Sequence, residues 1–190
     1  ERYEFLTAQR ADILEAEEKL RQIIEELSVL MEKQFREQFK VISENFSQVF
    51  QEMFGGGKAY LKLTDTENVL ESPIDIVAQP PGKNLQNMQL LSGGERALTA
   101  IAILFSILKM KPSPFCILDE IEAALDDANV TRYARYLKQF AEDTQFIVIT
   151  HRRGTMEAAD MLYGVTMQEK GVSKLLELKT AEMASKFDLT

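Results

Sequence analysis

Phe115-Cys116-Ile117-Leu118-Asp119-Glu120 decides the fold: four apolar residues in a row, then two carboxylates. A run of that length without polar alternation suits a strand buried on both faces, the pattern of a parallel sheet covered by helices. Phe146-Ile147-Val148-Ile149 repeats the pattern and leads into Thr150-His151. Residues 129–143 between them read as a helix, so strand, helix and strand make a βαβ crossover in an α/β lobe. Pro112 and Pro114 mark the turn before the first strand, and Ser92 stands where it would cap a helix running through Lys109.

Further out, residues 162–167 and 172–178 read as a terminal hairpin across Glu169-Lys170-Gly171. Residues 58–63 and 74–78 read as strands, and residues 79–87, with two prolines and a glycine, as a loop. Gly55-Gly56-Gly57 stops the preceding helix. The Gly57-Lys58 pair is not a P-loop: Glu52 stands where the first Gly is needed, Ala59 where Ser or Thr must follow, and the order is helix to strand.

Residues 6–54 contain no Pro or Gly and mix apolar residues with Glu, Gln, Lys and Arg, which predicts one helix roughly 70 Å long. Ile13, Ala16, Leu20, Ile23, Leu27 and Leu30 follow alternating spacings of 3 and 4, the seam of a left-handed coiled coil. Past Met31 the stripe turns aromatic, through Phe35, Phe39, Phe46, Phe50 and Phe54, with Ile42 between. Rings of that size bury more area than a two-stranded seam can cover, so here the arm enters a globular lobe. The organisation is therefore an arm over residues 1–54 and a lobe over residues 55–190.

A net charge of −8 over 190 residues argues against a protein that coats nucleic acid by bulk positive charge. The single cysteine, Cys116, lies in an apolar run and suits a reducing, cytoplasmic compartment. No stretch approaches the roughly 20 apolar residues of a membrane span, so no membrane role is expected. A chain opening at Glu1 reads as a fragment.

Three clusters carry chemistry. Ser92-Gly93-Gly94 offers a hydroxyl and unobstructed amides at a helix N-terminus, which favours an anion and equally makes a simple cap. Asp119-Glu120 places two carboxylates at the C-terminal end of a parallel strand, where open α/β sheets bind ligands, although such a pair is often a solvated turn. His151, the only histidine, follows the second strand at the same end. Asp126 and Asp127 complete an acidic edge that would either order a magnesium-nucleotide or cap the next helix.

Taken together, Ser92, then Asp119 27 residues later, then His151 31 residues after Glu120, follow the order of the ATP-binding-cassette superfamily of P-loop NTPases. Within it the chain resembles the C-terminal head of bacterial SMC proteins, through residues 46–61, Pro80-Pro81-Gly82-Lys83, residues 91–102 and residues 115–130. The resemblance implies the C-terminal lobe of an ABC-type ATPase head, with a parallel-sheet core and terminal hairpin behind a coiled-coil helix. It implies ATP and Mg²⁺ as ligands, with Asp119 on the metal, Glu120 activating water and His151 at the γ-phosphate. Asp126 would be the D-loop carboxylate, and Ser92, Gly93 and Gly94 would grip the ATP of an opposing head. The implied partners are the N-terminal lobe with its P-loop, a second head in an ATP-dependent homodimer, a kleisin winged-helix domain near the hairpin after Leu162, and DNA in the full complex. The implied role is chromosome condensation and segregation, as in condensin, in a nucleoid-associated setting. Two other readings share these residues: a coiled-coil DNA-repair ATPase, and a non-catalytic scaffold.

Overall fold

In the computed structural model, residues 2–142 and 144–179 are described. The first helix, α1 (Arg2–Phe54), runs unbroken to the glycine triplet. It is followed by β1 (Lys58–Leu63), β2 (Ile74–Gln79), β3 (Gln86–Asn87) and a 3-10 turn at Met88–Leu90. Then come α2 (Gly93–Met110), β4 (Phe115–Asp119), α3 (Asp127–Phe140), β5 (Gln145–Ile149), α4 (Arg153–Ala158) and the hairpin β6 (Met161–Glu169) with β7 (Val172–Lys179). The chain divides into two compact units, one of Glu1–Ile42 and Lys62–Asp75, the other of Ser43–Leu61 and Ile76–Thr190.

In the first unit, Glu15–Lys19, Glu17–Arg21 and Glu32–Arg36 pair one helical turn apart on the solvent face. Such exposed pairs are individually weak, and the polar composition with good helix formers keeps the helix regular. Ile13, Leu20, Ile23, Leu27 and Leu30 are all exposed, so the predicted seam meets no partner among the described residues.

The second unit holds the main core. Phe46, Val49, Phe50, Met53 and Phe54 of α1 are buried together with Leu98, Ala102 and Phe105 of α2, Leu118 of β4, and Val130, Tyr133 and Leu137 of α3. Phe105 is the hub, its ring centroid 5.2 Å from Tyr136, 5.6 Å from Phe140 and 6.1 Å from Phe146. The aromatic stripe thus packs as core from Phe46 onward, while Phe35 and Phe39 stack on each other at 5.9 Å and stay half-buried. At Gly57, φ is +88° and an added Cβ would stand 2.3 Å from the Gln79 carbonyl oxygen, so this last glycine of the triplet is sterically required.

β4 and β5 pair in parallel with Cys116 opposite Phe146 and Asp119 opposite Ile149, the expected crossover. One expectation fails. Phe115, Ile117, Ile147 and Ile149 lie on one face of this pair and are about half exposed, Ile117 to 59 %. The strands were expected to be buried on both faces, but in this chain α2 and α3 cover only the face bearing Cys116, Leu118, Phe146 and Val148. The parallel sheet has two strands among the described residues. Two smaller corrections concern residues 79–87, where Gln86 and Asn87 pair with β2 instead of staying in a loop, and the helix expected to reach residue 143, which ends at Phe140. Residue 143 lies outside the described residues. The hairpin forms as expected, with Val165 opposite Leu175.

Candidate functional site

The parallel pairing brings the ends of β4 and β5 side by side, so the residues just beyond the two strands gather into one cluster. Asp119 ends β4 and is exposed. Glu120 comes next with φ +48°, its amide donating to the Ile149 carbonyl at 2.9 Å and its carbonyl accepting from Ala123 at 3.0 Å. A non-glycine residue in the left-handed region costs about 1–3 kcal/mol and persists where neighbours over-determine it. Here the hydrogen bond to β5 and the tight turn hold it. Glu120 Oε1 lies 3.2 Å from His151 Nδ1. With the carboxylate accepting, the proton sits on Nδ1, and Nε2 has no partner among the described residues. Both side chains remain more than half exposed.

Asp126 does cap α3, accepting from the Asn129 amide at 2.8 Å and from the Asn129 side-chain amide at 3.3 Å. The capping alternative for this residue is therefore realised. Asp127 accepts instead from Arg152 Nη2 at 2.9 Å, and the same nitrogen donates to the Leu125 carbonyl at 2.8 Å. Arg152, next to His151, thereby ties the end of β5 to the loop before α3.

Ser92 precedes α2, as expected. Its hydroxyl donates to Glu95 Oε2 at 2.6 Å and its amide donates to the same oxygen at 3.1 Å. Lys83 of the Pro-Pro-Gly-Lys turn adds an ammonium at 2.9 Å. Partial burial pushes the Glu95 carboxyl up, but the bonds from Ser92 and Lys83 outweigh it and hold the group below the usual carboxylate range. The Ser92 group does not bond to Glu120 or His151 among the described residues; the nearest link is at Gly94, whose added Cβ would lie 3.4 Å from the Ala124 carbonyl oxygen. Ser92 and Gly93 are exposed and Gly94 is half-buried.

Two neighbours of the cluster were not foreseen. Arg152 reads in sequence as a solvated charge. Glu122 lies in an acidic turn and reads the same way, yet it is fully buried. The helix α4 was also missed, since Arg153-Gly154-Thr155-Met156-Glu157-Ala158 is short and centred near a glycine.

No group of three or more His, Cys, Asp or Glu able to enclose a metal occurs among the described residues. A single exposed carboxylate such as Asp119 fits Mg²⁺ where phosphates and water complete the shell, because that ion is usually held by one or two carboxylates. No described helix is long and apolar enough to cross a membrane.

Comparison with known proteins gives a consistent result. The family described as "RecF/RecN/SMC N terminal domain" matches residues 6–174. The chain is 62 % identical over 96 % of its length to chromosome partition protein Smc of Bacillus subtilis, and 46 % identical over 98 % to that of Myxococcus xanthus. It spans about 15 % of the length of the Bacillus subtilis relative. A solved structure described under ATP-driven dimerization and DNA stimulated activation of SMC ATPases aligns with TM-score 0.74 at 42 % identity, covering 83 % of this chain and 95 % of that one. An Smc head bound to the C-winged helix domain of ScpA aligns with TM-score 0.71 at 44 % identity, over 80 % of this chain and 46 % of that one. The Pyrococcus furiosus Smc head with an extended coiled coil, bound to the C-terminal domain of ScpA, aligns with TM-score 0.75 at 39 % identity, over 98 % of this chain and 47 % of that one.

Proposed function

The chain belongs to the RecF/RecN/SMC family and is homologous to SMC heads, and on that premise we propose that it is the C-terminal lobe of an ABC-type ATPase head with the root of its coiled-coil arm. The arm would take residues 1–54, of which residues 46–54 already share the core of the lobe, and the lobe residues 55–190. The matching family is described as an N terminal domain; the C-terminal assignment rests on this chain's own motifs, which run Ser-Gly-Gly, Asp-Glu, His without a Gly-x4-Gly-Lys-Ser/Thr segment. The bare face of β4 and β5, with Ile117 and Ile147 at its centre, is what an N-terminal lobe carrying the P-loop would cover.

The observation that carries the reading is the 3.2 Å approach of His151 to Glu120 at the ends of two parallel strands. Asp119 would hold Mg²⁺, which when bound neutralises charge on the β- and γ-phosphates. Glu120 takes a proton from water as its oxygen attacks the γ-phosphorus and the bond to ADP breaks. His151 would orient Glu120 through Nδ1 and, with Nε2 protonated as well, donate to the γ-phosphate. Ser92, Gly93 and Gly94 would meet the ATP of an opposing head at the N-terminus of α2, the Ser92 hydroxyl leaving Glu95, to which it donates here, to do so. Asp126 holds the loop beside that contact by capping α3. ATP then joins two heads as a homodimer and hydrolysis releases them, in service of chromosome partition by a cytoplasmic, nucleoid-associated, condensin-type complex acting on DNA.

For a kleisin winged-helix domain, the hairpin offers Tyr163, Val165 and Met167 exposed on one face of β6, beside Leu175 of β7. The 62 % identity to a chromosome partition Smc favours this role over a repair ATPase. Calorimetry tests the split-head assignment: the chain alone should not bind ATP tightly, and turnover should appear when the N-terminal lobe is added. Micromolar ATP affinity in the chain alone would contradict it.

A further inference from the structure

Glu122 is fully buried, two residues beyond Glu120, in the turn that follows β4. Its Oε1 accepts from two hydroxyls, Thr150 Oγ1 and, at 3.0 Å, Thr155 Oγ1. Thr150 precedes His151, and its hydroxyl also accepts from the Arg152 amide at 3.0 Å, so one chain of bonds runs from Glu122 through Thr150 to the residue after His151. Thr155 anchors α4 to the same oxygen. Burying a carboxylate is costly, and here Oε2 has no hydrogen-bond partner among the described residues. The Tyr133 hydroxyl is likewise buried without one, and burial, reinforced by the Glu122 charge, pushes its phenol up. An apolar side chain would fill this space at lower cost unless the two hydroxyl contacts serve a purpose.

We propose that Glu122 is a positioning residue, which clamps the segment bearing His151 onto the turn bearing Glu120 and so sets the separation of the two. The proposal rests on the assignment of Glu120 and His151 to hydrolysis. Removing the clamp frees the segment on both sides of His151, while Asp119 and Ser92 lose none of their bonds. The effect therefore falls on turnover and not on nucleotide affinity, and a displacement of about 1 Å at reacting groups lowers rates by as much as a hundredfold.

The test uses the full-length protein carrying this chain, with Glu122→Met, Glu122→Gln and Thr155→Val. Glu122→Met should lower kcat ten- to a hundredfold with KM for ATP within about threefold. Glu122→Gln, which keeps an acceptor oxygen, should restore kcat to within about threefold of wild type, and Thr155→Val should fall between. Hydrogen exchange read by mass spectrometry should show faster exchange at residues 150–155 in Glu122→Met, with wild-type protection in α2. If Glu122→Met folds and keeps wild-type kcat, or if kcat and ATP affinity fall together, or if Gln fails to rescue, the proposal is overturned. Loss of global fold in Met leaves the decision with Thr155→Val, whose unchanged kcat would overturn it. If the wild-type protein hydrolyses ATP independently of Glu120, the hydrolysis assignment fails instead, and the exchange pattern still shows whether Glu122 anchors the His151 segment.

Discussion

His151 meets Glu120 through Nδ1, at 3.2 Å, across 31 residues of sequence. Because that nitrogen donates to the carboxylate, only the imidazolium, protonated at both nitrogens, can also donate to phosphate through Nε2, and the second oxygen of Glu120 is left out of this pair. Glu120→Gln retains an oxygen to accept from Nδ1 but cannot take a proton. Turnover in a reconstituted head should fall by about a hundredfold or more, with ATP binding unchanged and engaged dimers accumulating. Wild-type turnover in this variant would remove Glu120 as the base.

Glu120 is also strained, at φ +48°. Glycine tolerates this conformation without steric cost, so Glu120→Gly should abolish turnover while raising stability by about 1 kcal/mol in urea melts. A less stable variant would mean that the backbone there is not under strain.

Much of this was legible in the sequence, for reasons that differ by element. The runs 115–118 and 146–149 lay within one residue of the observed strands, because apolar runs bounded by turn residues leave little freedom in where a strand begins. The same runs misled on burial: whether a face is covered depends on segments elsewhere, and no local pattern encodes that. The gathering of Asp119, Glu120 and His151 at one end of the sheet was legible, because parallel strands bring their C-terminal ends together. Glu122 and Arg152 were not, since a charged residue in a turn is ordinarily solvated and only the converging Thr150, Thr155 and Leu125 contacts reveal otherwise.

Ser92→Arg should separate nucleotide binding from head engagement. Ser92 is exposed at the start of α2 and has no bond to Glu120 or His151 among the described residues, so the added bulk disturbs an incoming phosphate and not its own lobe's site. A reconstituted head should bind ATP normally and fail to dimerise in sedimentation. Lost ATP affinity in the monomer would place Ser92 in its own lobe's site.

Two glycines of the triplet make a stability contrast. Gly57→Ala puts a methyl group 2.3 Å from the Gln79 carbonyl oxygen at φ +88°, whereas Gly55→Ala at φ +71° meets nothing within 4 Å. The first should cost about 2 kcal/mol or more and the second about 1 kcal/mol, measured by denaturant unfolding. Equal costs would show that the β2 backbone moves aside freely.

Alkaline unfolding should involve the aromatic hub. Burial, with a smaller contribution from Glu52, pushes the Tyr136 phenol up from 10.0 to about 12, and burial pushes Tyr133 up as well. The fold favours the protonated phenols, so their contribution is intact below pH 10 and is lost as pH rises through about 12. A phase of tyrosinate absorbance should coincide with the loss of helical circular dichroism, and Tyr136→Phe should diminish it. Ionisation of these tyrosines with the helices intact would contradict their burial.

The uncovered side of β4 and β5 makes durability a matter of supply. A two-stranded sheet with an oily face and open edges is a template for unwanted strand addition. Any segment that seals it stabilises the lobe in proportion to the logarithm of its own abundance. The lifetime of the lobe in a cell would then be set by stoichiometry: molecules without a cover aggregate or are degraded, and those with one persist.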